Sequence, residues 1–307
     1  MTVQPSPLTD TAQRLGTNAP HALQVALMQL NRERLTPATP GDSWREDLLL
    51  GAQQALREGA FLESERRAIA AAAAQAPTDS EGFIAWFEAL KQSGPGQHDP
   101  LFDYLAEHAT LDELRWVMQQ EVAGEAGFDD LVALTQLRMP DQAKLELARN
   151  YWDEMGRGRA VAMHGPMLGR LAEALSVRAT DPQRIVWEAL AVGNVLAGLA
   201  YNRRYAFHSL GALGAVELTA PTRAVKLVQA LERVGVSGEA AHYFRLHSTI
   251  DVVHWNGWRD EVLVPVLAQQ PQVARSLAEG ALMRLAAGAR SFERYRRELW
   301  LEHARRA

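Results

Sequence analysis

The sequence contains no cysteine among its 307 residues. This absence excludes disulfides, thiolate zinc sites, iron–sulfur clusters, cysteine nucleophiles and thiolate-ligated haem. Any metal ion in this protein must therefore be held by histidine and carboxylate side chains.

The sequence also lacks a surplus of basic residues and a long apolar run. The formal net charge is −5 and the pI is about 6.0, so no basic excess indicates binding to nucleic acid or to an anionic membrane. The most apolar stretch, Ile185 to Ala200, is interrupted by Glu188 and Asn194 and is too short to cross a bilayer. Residues 1–10 have neither a cationic start nor an apolar segment, so we expect no secretory signal and a cytoplasmic protein.

The composition is that of a folded protein with a sizeable core, since 47% of the residues are hydrophobic and 22% are charged. From Trp44 onward, leucine, alanine, arginine and glutamate dominate, and apolar residues recur at helical spacing without sustained strand alternation. Thr110 and Glu113 fit a capping box at a helix start. Among the expected helix breaks is Ala220-Pro221. These features predict an all-α fold with short links between helices.

Three segments are predicted along the chain. Residues 1–45 are rich in proline and form a loosely ordered arm with one helical piece, His21 to Arg34. Residues 46–95 form an N-terminal helical extension, and residues 96–307 form the main domain. A regular internal repeat is absent from the sequence, so a solenoid is not expected.

The most informative motif is His247-Ser-Thr-Ile-Asp251-Val-Val-His254. At about 100° per residue, its three ligand-type side chains fall within roughly 60° of one another on one helical face. A buried aspartate needs a partner, and two histidines with a carboxylate form a donor set suited to iron, manganese or zinc. The alternative is that Asp251 and His254 form a hydrogen-bonded pair while His247 is exposed.

Further carboxylates lie in apolar surroundings elsewhere in the chain. Glu121 and Glu125 follow an apolar stretch at positions i and i+4, and Glu217 lies within Leu213-Gly-Ala-Val-Glu217-Leu. These carboxylates can also be explained without a metal ion: Glu125 as a solvated side chain and Glu217 as the partner of an arginine.

Glu154 and His164 are ten residues apart, and about 15 Å would separate them along a straight helix. They can share a site only if two metal ions are present or if the helix is distorted. Gly156 and Gly158 are the places where we expect such a distortion.

Taken together, these residues follow the order Glu121 … Glu154-x9-His164 … Glu217-x29-His247-x3-Asp251-x2-His254. This order resembles that of the haem-oxygenase-like di-iron oxidases, which are also described as iron-containing redox enzymes and bind no haem. The segments Pro100-Leu-Phe-Asp-Tyr-Leu and Arg204 to Pro221 are similar to that family as well. The resemblance covers roughly residues 98 to 275, and its specificity depends on the seven ligand-type residues jointly.

The resemblance implies a haem-oxygenase-like bundle of about seven core helices, preceded here by the N-terminal helical extension. It also implies two iron ions per chain that pass between Fe(II) and Fe(III), with O2 as co-substrate and no catalytic residue beyond the metal ligands. By position, the carboxylate ligands would be Glu121, Glu154, Glu217 and Asp251, and the imidazole ligands His164, His247 and His254.

The function implied is an oxidase or oxygenase that acts on a small molecule. We expect an amine or amino acid as substrate, with N-oxygenation, oxidative C–C cleavage or decarboxylation as the reaction and an external reductant as partner. Arg204 and Tyr243 are candidate substrate-binding residues, with core packing as the alternative for Tyr243. Residues 1–95 lie outside the resemblance and could pack on the core, cover the active site or form a homodimer.

Two other functions stay open at this point. A haem-binding or haem-degrading enzyme of the same fold predicts one axial histidine, but clustered carboxylates would be costly against a porphyrin face. A non-catalytic helical binding protein would use the same glutamates and histidines as ion pairs. Since an all-helical fold serves many functions, the fold does not decide among them.

Overall fold

The structure is a computed structural model that describes residues 20–125, 127–177, 182–236 and 238–306, with side chains up to residue 300. Within these residues the chain is helical and contains no β-strand, which confirms the predicted all-α fold. The α-helices are α1 Pro20–Leu35, α2 Trp44–Ala73, α3 Ser80–Ser93, α4 Pro100–Glu107, α5 Leu111–Gly124, α6 Phe128–Thr135, α7 Asp141–Glu154, α8 His164–Ala174, α9 Trp187–Tyr201, α10 Ala206–Arg233, α11 His242–His247, α12 Ile250–Gly257, α13 Val264–Gln269 and α14 Ala274–Arg306. A π-helical turn, Trp258–Leu263, connects α12 to α13.

Local sequence signals explain several helix starts. The Thr110 side chain accepts from the Glu113 backbone N–H while the Glu113 carboxylate accepts from Thr110, so the predicted capping box is present at the start of α5. Helix α1 occupies Pro20–Leu35, where the sequence predicts a helix from His21 to Arg34.

The predicted break at Ala220-Pro221 is wrong, because α10 continues through Pro221. Proline removes one backbone N–H from the helical ladder. On the preceding turn, the Thr219 hydroxyl donates to the Ala215 carbonyl at 2.7 Å, and Pro221 is itself buried against neighbouring helices. Tertiary packing of both faces of α10 therefore outweighs the local cost of the proline.

The centre of the molecule is formed by α10 and α14, which pack along each other and are flanked by α9, α4 and α12. Two clusters of buried apolar side chains fill the space between them. Among the described helices, none combines the length and apolar character that a membrane crossing requires. This arrangement surrounds the middle of α10 with helices on several sides.

The N-terminal helices pack on the main bundle. In α1, Asn31 donates to the Asn194 side chain on α9 at 2.9 Å, and Asn194 donates in turn to the Gln24 side chain at 2.8 Å. Residues 1–19 of the predicted arm lie outside the described residues. The domain boundaries at residues 45 and 95 stay a prediction.

Candidate metal centre

Six of the seven predicted ligands converge on one region inside the bundle. Glu154 ends α7, His164 begins α8, Glu217 lies in the middle of α10, and His247 ends α11. The remaining two, Asp251 and His254, lie on α12. All are buried except His247, which is half-buried.

The motif from His247 to His254 differs from prediction in one respect, since it does not lie on one continuous helix. The hydroxyls of Ser248 and Thr249 donate to the carbonyls of Arg245 and Leu246, at 2.8 and 3.0 Å. Such bonds compete with the backbone ladder and end α11 at His247. The three ligand-type side chains still point into the same region.

The distortion expected between Glu154 and His164 is present. Three consecutive residues, Gly156, Arg157 and Gly158, have φ values of 60°, 54° and 79°, and two short 3-10 turns follow α7. At Gly156 a Cβ atom would overlap the backbone of Ala162, so the chain folds back on itself there. As a result, His164 Nδ1 lies 2.6 Å from Glu154 Oε2.

The side chains form two groups of donors that share Glu154. One group contains Glu154, His164 and His247, and the other contains Glu154, Glu217 and His254. Within each group the donor atoms lie within 4.8 Å of one another. In the second group, His254 Nδ1 is 3.4 Å from Glu217 Oε2 and 4.0 Å from Glu154 Oε1. Glu154 thus offers one carboxylate oxygen to each group.

Neighbouring polar groups orient these donors. Asn150 donates to Glu217 Oε1 at 2.6 Å, and Asp153 Oδ2 lies 3.4 Å from His254 Nε2. The Nδ1 atom of His247 lies 2.7 Å from the Tyr243 carbonyl oxygen, a contact that favours the proton on Nδ1 and frees Nε2.

Asn150 and Asp153 were not identified from the sequence. Their signal is helical spacing, because both lie within one turn of Glu154 on α7.

The carboxylates repel one another in this buried setting. Burial and the charge of Glu217 raise the pKa of Glu154 well above its ordinary value, and burial with Glu217 and Glu154 does the same for Asp251. Burial alone would lower the pKa of His254, but Glu217 and Glu154 outweigh it and raise the pKa to about 9. Without a cation, burial and mutual repulsion therefore oppose ionisation of Glu154 and Asp251, whereas the nearby carboxylates favour the protonated form of His254.

The pKa values of two other histidines are lowered rather than raised. Burial and the neighbouring charge of His254 lower the pKa of His164 to about 4, and burial with His164 lowers the pKa of His247 to about 4 as well. Their rings lie 4.6 Å apart between centroids. Both imidazoles are thus neutral at pH 7, which is the form that binds a metal ion.

The structure does not bring Glu121 into either donor group. Glu121 faces Arg223, Arg284 and the Tyr295 hydroxyl instead. Glu125, one turn later, contributes to the raised pKa of Glu154, whereas Glu121 is not among the charges that act on it. Glu125 is exposed, accepts from the Phe128 backbone N–H and belongs to neither donor group, so the described geometry selects neither glutamate as a ligand.

A cavity of about 140 Å³ lies against the donor groups and is lined by Glu154, Glu217, His247 and Asp251. Tyr243 lines it too, with its ring centroid 4.2 Å from that of His247. The other predicted substrate-binding residue, Arg204, lies elsewhere. Its side chain is 73% exposed, with its guanidinium 3.8 Å from Glu63, and it does not line this cavity.

The donor set fits iron. The Nδ1 atoms of His164 and His254 are buried and make no hydrogen bond of ordinary geometry, although carboxylate oxygens lie within 4.0 Å of each. Buried donors that converge without satisfying one another are expected where a cation completes the site. Imidazole and carboxylate together suit iron in both common oxidation states.

Comparison with known proteins agrees with this chemistry. A search of curated proteins gives no match. The sequence model of a family described as iron-containing redox enzymes matches residues 115–289. Because that match spans more than half of the chain and includes the converging residues from Glu154 to His254, this protein belongs to the family of iron-containing redox enzymes, with a haem-oxygenase-like bundle as its fold.

Proposed function

We propose that this protein is an O2-dependent, non-haem di-iron oxidase or oxygenase that acts on a small molecule. The observation that carries this proposal is the pair of donor groups that share Glu154. A carboxylate has two oxygens, so one side chain can serve two metal ions at once. The substrate class we propose is an amine or amino acid, modified by N-oxygenation or oxidative C–C cleavage, with an external reductant as partner.

The residues that would hold iron are Glu154, His164 and His247 in one group, and Glu154, Glu217 and His254 in the other. Asp251 lies beside Glu154 and Glu217 and could join them. When bound, iron supplies electrons to O2. The chain's own contribution is to orient these donors through Asn150, Asp153 and the Tyr243 carbonyl, and to enclose the substrate next to them.

The test is an anaerobic titration of the purified metal-free protein with Fe(II), followed by mixing with O2. We expect uptake approaching two irons per chain and a transient visible absorption band after O2 is added. Bound iron should also raise the Tm, since it binds the folded state alone. Failure to take up iron, with candidate amines present, would overturn the proposal and favour the binding-protein alternative.

A matched pair of variants on one helix makes the titration specific. His247→Ala removes a donor, whereas His242→Ala removes an exposed histidine five residues earlier on α11. We expect His247→Ala and Asp251→Ala to reduce the iron-dependent rise in Tm strongly and His242→Ala to leave it unchanged. Equal behaviour of the variants would show that the ligand assignment is wrong. A haem difference spectrum tests the haem alternative separately.

A further inference from the structure

Two arginines from different helices face the cavity beside the donor groups. Arg223 lies on α10, two turns after Glu217, and Arg284 lies on α14. Both line the cavity that Glu154, His247 and Asp251 also line. Neither position stands out in the sequence, because the sequence does not show which arginines point inward.

These two guanidinium groups are almost without partners. Arg284 makes no hydrogen bond or ion pair with any described residue, and its Nε atom is buried. Arg223 makes one long hydrogen bond, from Nη1 to the Thr219 hydroxyl at 3.4 Å, and otherwise lies over the Phe292 ring. Burial lowers the pKa of Arg223 to about 10, so holding this charge inside the protein has a cost.

Nearby carboxylates, Glu121 among them, attract these two arginines but form no direct ion pair with them. Within the described part of the chain, no carboxylate oxygen lies within ion-pairing distance of Arg223 or Arg284, and Glu121 is directed towards the Tyr295 hydroxyl. Two half-buried cations with free N–H groups beside an acidic cluster are suited to an anion that comes from outside the chain.

We propose that Arg223 and Arg284 bind a carboxylate group of the substrate and thereby place the rest of the molecule against the donor groups. The proposal rests on the proposed function in one respect, since it takes the occupant of this cavity to be the substrate. It assigns a carboxylate rather than phosphate because Glu125 and Asp251 line the same cavity and would repel a dianion more strongly than a monoanion.

The apolar lining of the cavity limits the character and size of the rest of the ligand. Phe102, Leu227 and Phe244 line it, so the body of the ligand would contact apolar side chains. The volume of about 140 Å³ is close to that of an engineered apolar cavity, about 150 Å³, that accommodates benzene. A carboxylate with about six carbon atoms is therefore a suitable probe.

The experiment is calorimetric titration of the metal-free protein with hexanoate, hexylamine and inorganic phosphate. We expect hexanoate to bind more tightly than either of the others. Arg223→Gln and Arg284→Gln should each weaken hexanoate binding by about tenfold or more, because each removes a charge-assisted hydrogen bond. Arg297→Gln, on the same helix as Arg284 but at a 55% exposed side chain, is the matched control and should bind hexanoate like the unaltered protein.

A second substitution tests the same site without removing a charge. A Cβ at Gly288 would lie 2.8 Å from Arg284 Nη1, so Gly288→Ala should displace the guanidinium and weaken hexanoate binding as well. Circular dichroism and Tm show whether each variant is folded. The proposal is overturned if hexanoate does not bind, if hexylamine or phosphate binds as tightly, or if none of the three cavity variants weakens hexanoate binding.

The outcome separates this proposal from the proposed function. Iron uptake is measured on the same variants, and we expect Arg223→Gln and Arg284→Gln to retain it because neither residue belongs to a donor group. Iron uptake without selective hexanoate binding would refute the carboxylate site alone. Selective hexanoate binding without iron uptake would refute the di-iron proposal alone.

Discussion

At the scale of single residues, the donors depend on side chains that would not bind the metal themselves. Asn150 is buried and holds Glu217 through a hydrogen bond of 2.6 Å from its amide nitrogen. A neutral donor fixes the carboxylate without adding charge to the crowded cluster. Partners of this kind commonly change metal affinity by about 10- to 100-fold when they are removed.

We therefore expect Asn150→Ala to weaken Fe(II) binding by about 10- to 100-fold while the final stoichiometry is retained at high iron concentration. Competition with a chromophoric chelator measures the affinity. Arg149→Ala is the control, because the neighbouring Arg149 side chain is 68% exposed and pairs with Glu146 on the surface. An unchanged affinity in Asn150→Ala would show that Glu217 needs no support from Asn150.

Glu121 and Glu125 are the two candidates for an iron-binding carboxylate near the end of α5. Because Glu125 contributes to the raised pKa of the Glu154 carboxyl group, while Glu121 is held by the Tyr295 hydroxyl, we expect Glu125→Gln to reduce iron affinity more than Glu121→Gln does. The same chelator competition compares the two variants. A larger loss in Glu121→Gln would support the ligand that the family resemblance names.

At the scale of secondary-structure elements, the turn between α7 and α8 brings Glu154 and His164 together. Gly156 has a φ of 60°, and a Cβ atom there would overlap the backbone of Ala162, so no side chain fits. Any residue with a Cβ must move this turn, and with it His164. The geometry of the first donor group therefore depends on one glycine outside it.

We expect Gly156→Ala to destabilise the metal-free protein by about 1–3 kcal/mol through backbone strain, and to weaken iron binding in addition. Urea unfolding and chelator competition measure the two effects. Gly169→Ala is the control, since a Cβ on this α8 glycine meets no atom within 4 Å. It should stabilise the protein by up to about 1 kcal/mol, because alanine favours a helix. Full iron affinity in Gly156→Ala would show that the turn tolerates a shift.

Sequence reasoning succeeded where the relevant information was local. The capping box at Thr110 and the distortion near Gly156 follow from residue types within a few positions of each other. The features that the sequence did not predict depend on packing between residues that are distant along the chain. Pro221 remains inside a helix because neighbouring helices bury it, and Arg223 and Arg284 approach one cavity from two helices that are distant in sequence. The exposure of Arg204 is likewise set by tertiary packing.

At the scale of the whole molecule, Glu279 joins three helices. Its buried carboxylate accepts from Arg275 on α14 at 2.8 Å and lies 3.0 Å from His208 Nε2 on α10. Arg66 of α2 approaches it at 3.4 Å. Burial by itself would raise the pKa of Glu279, but the hydrogen bonds from Arg275 and His208 outweigh burial and lower it.

This lowered pKa predicts how stability depends on pH. A carboxyl group whose pKa is lower in the folded state stabilises the protein above its unfolded pKa of about 4.5 and loses that contribution as the pH falls through the folded value. We expect Glu279→Gln to cost about 1–3 kcal/mol at pH 7 and progressively less below pH 4.5. Urea unfolding of metal-free protein at several pH values measures this, and a pH-independent difference would contradict it.

The contacts that attach α1 to the bundle predict when this helix detaches relative to unfolding of the core. Its buried hydrogen bonds reach Asn194, which is 163 residues from Asn31, and the helix forms one wall of a cavity that Glu125 also lines. Because α1 is held by contacts with residues distant in sequence, we expect it to dock after the bundle forms and to be released before the core unfolds. In native-state hydrogen exchange, amides of α1 should therefore exchange earlier than those of α10. All five residues of the two donor groups lie outside α1, so both groups should stay assembled while α1 is released.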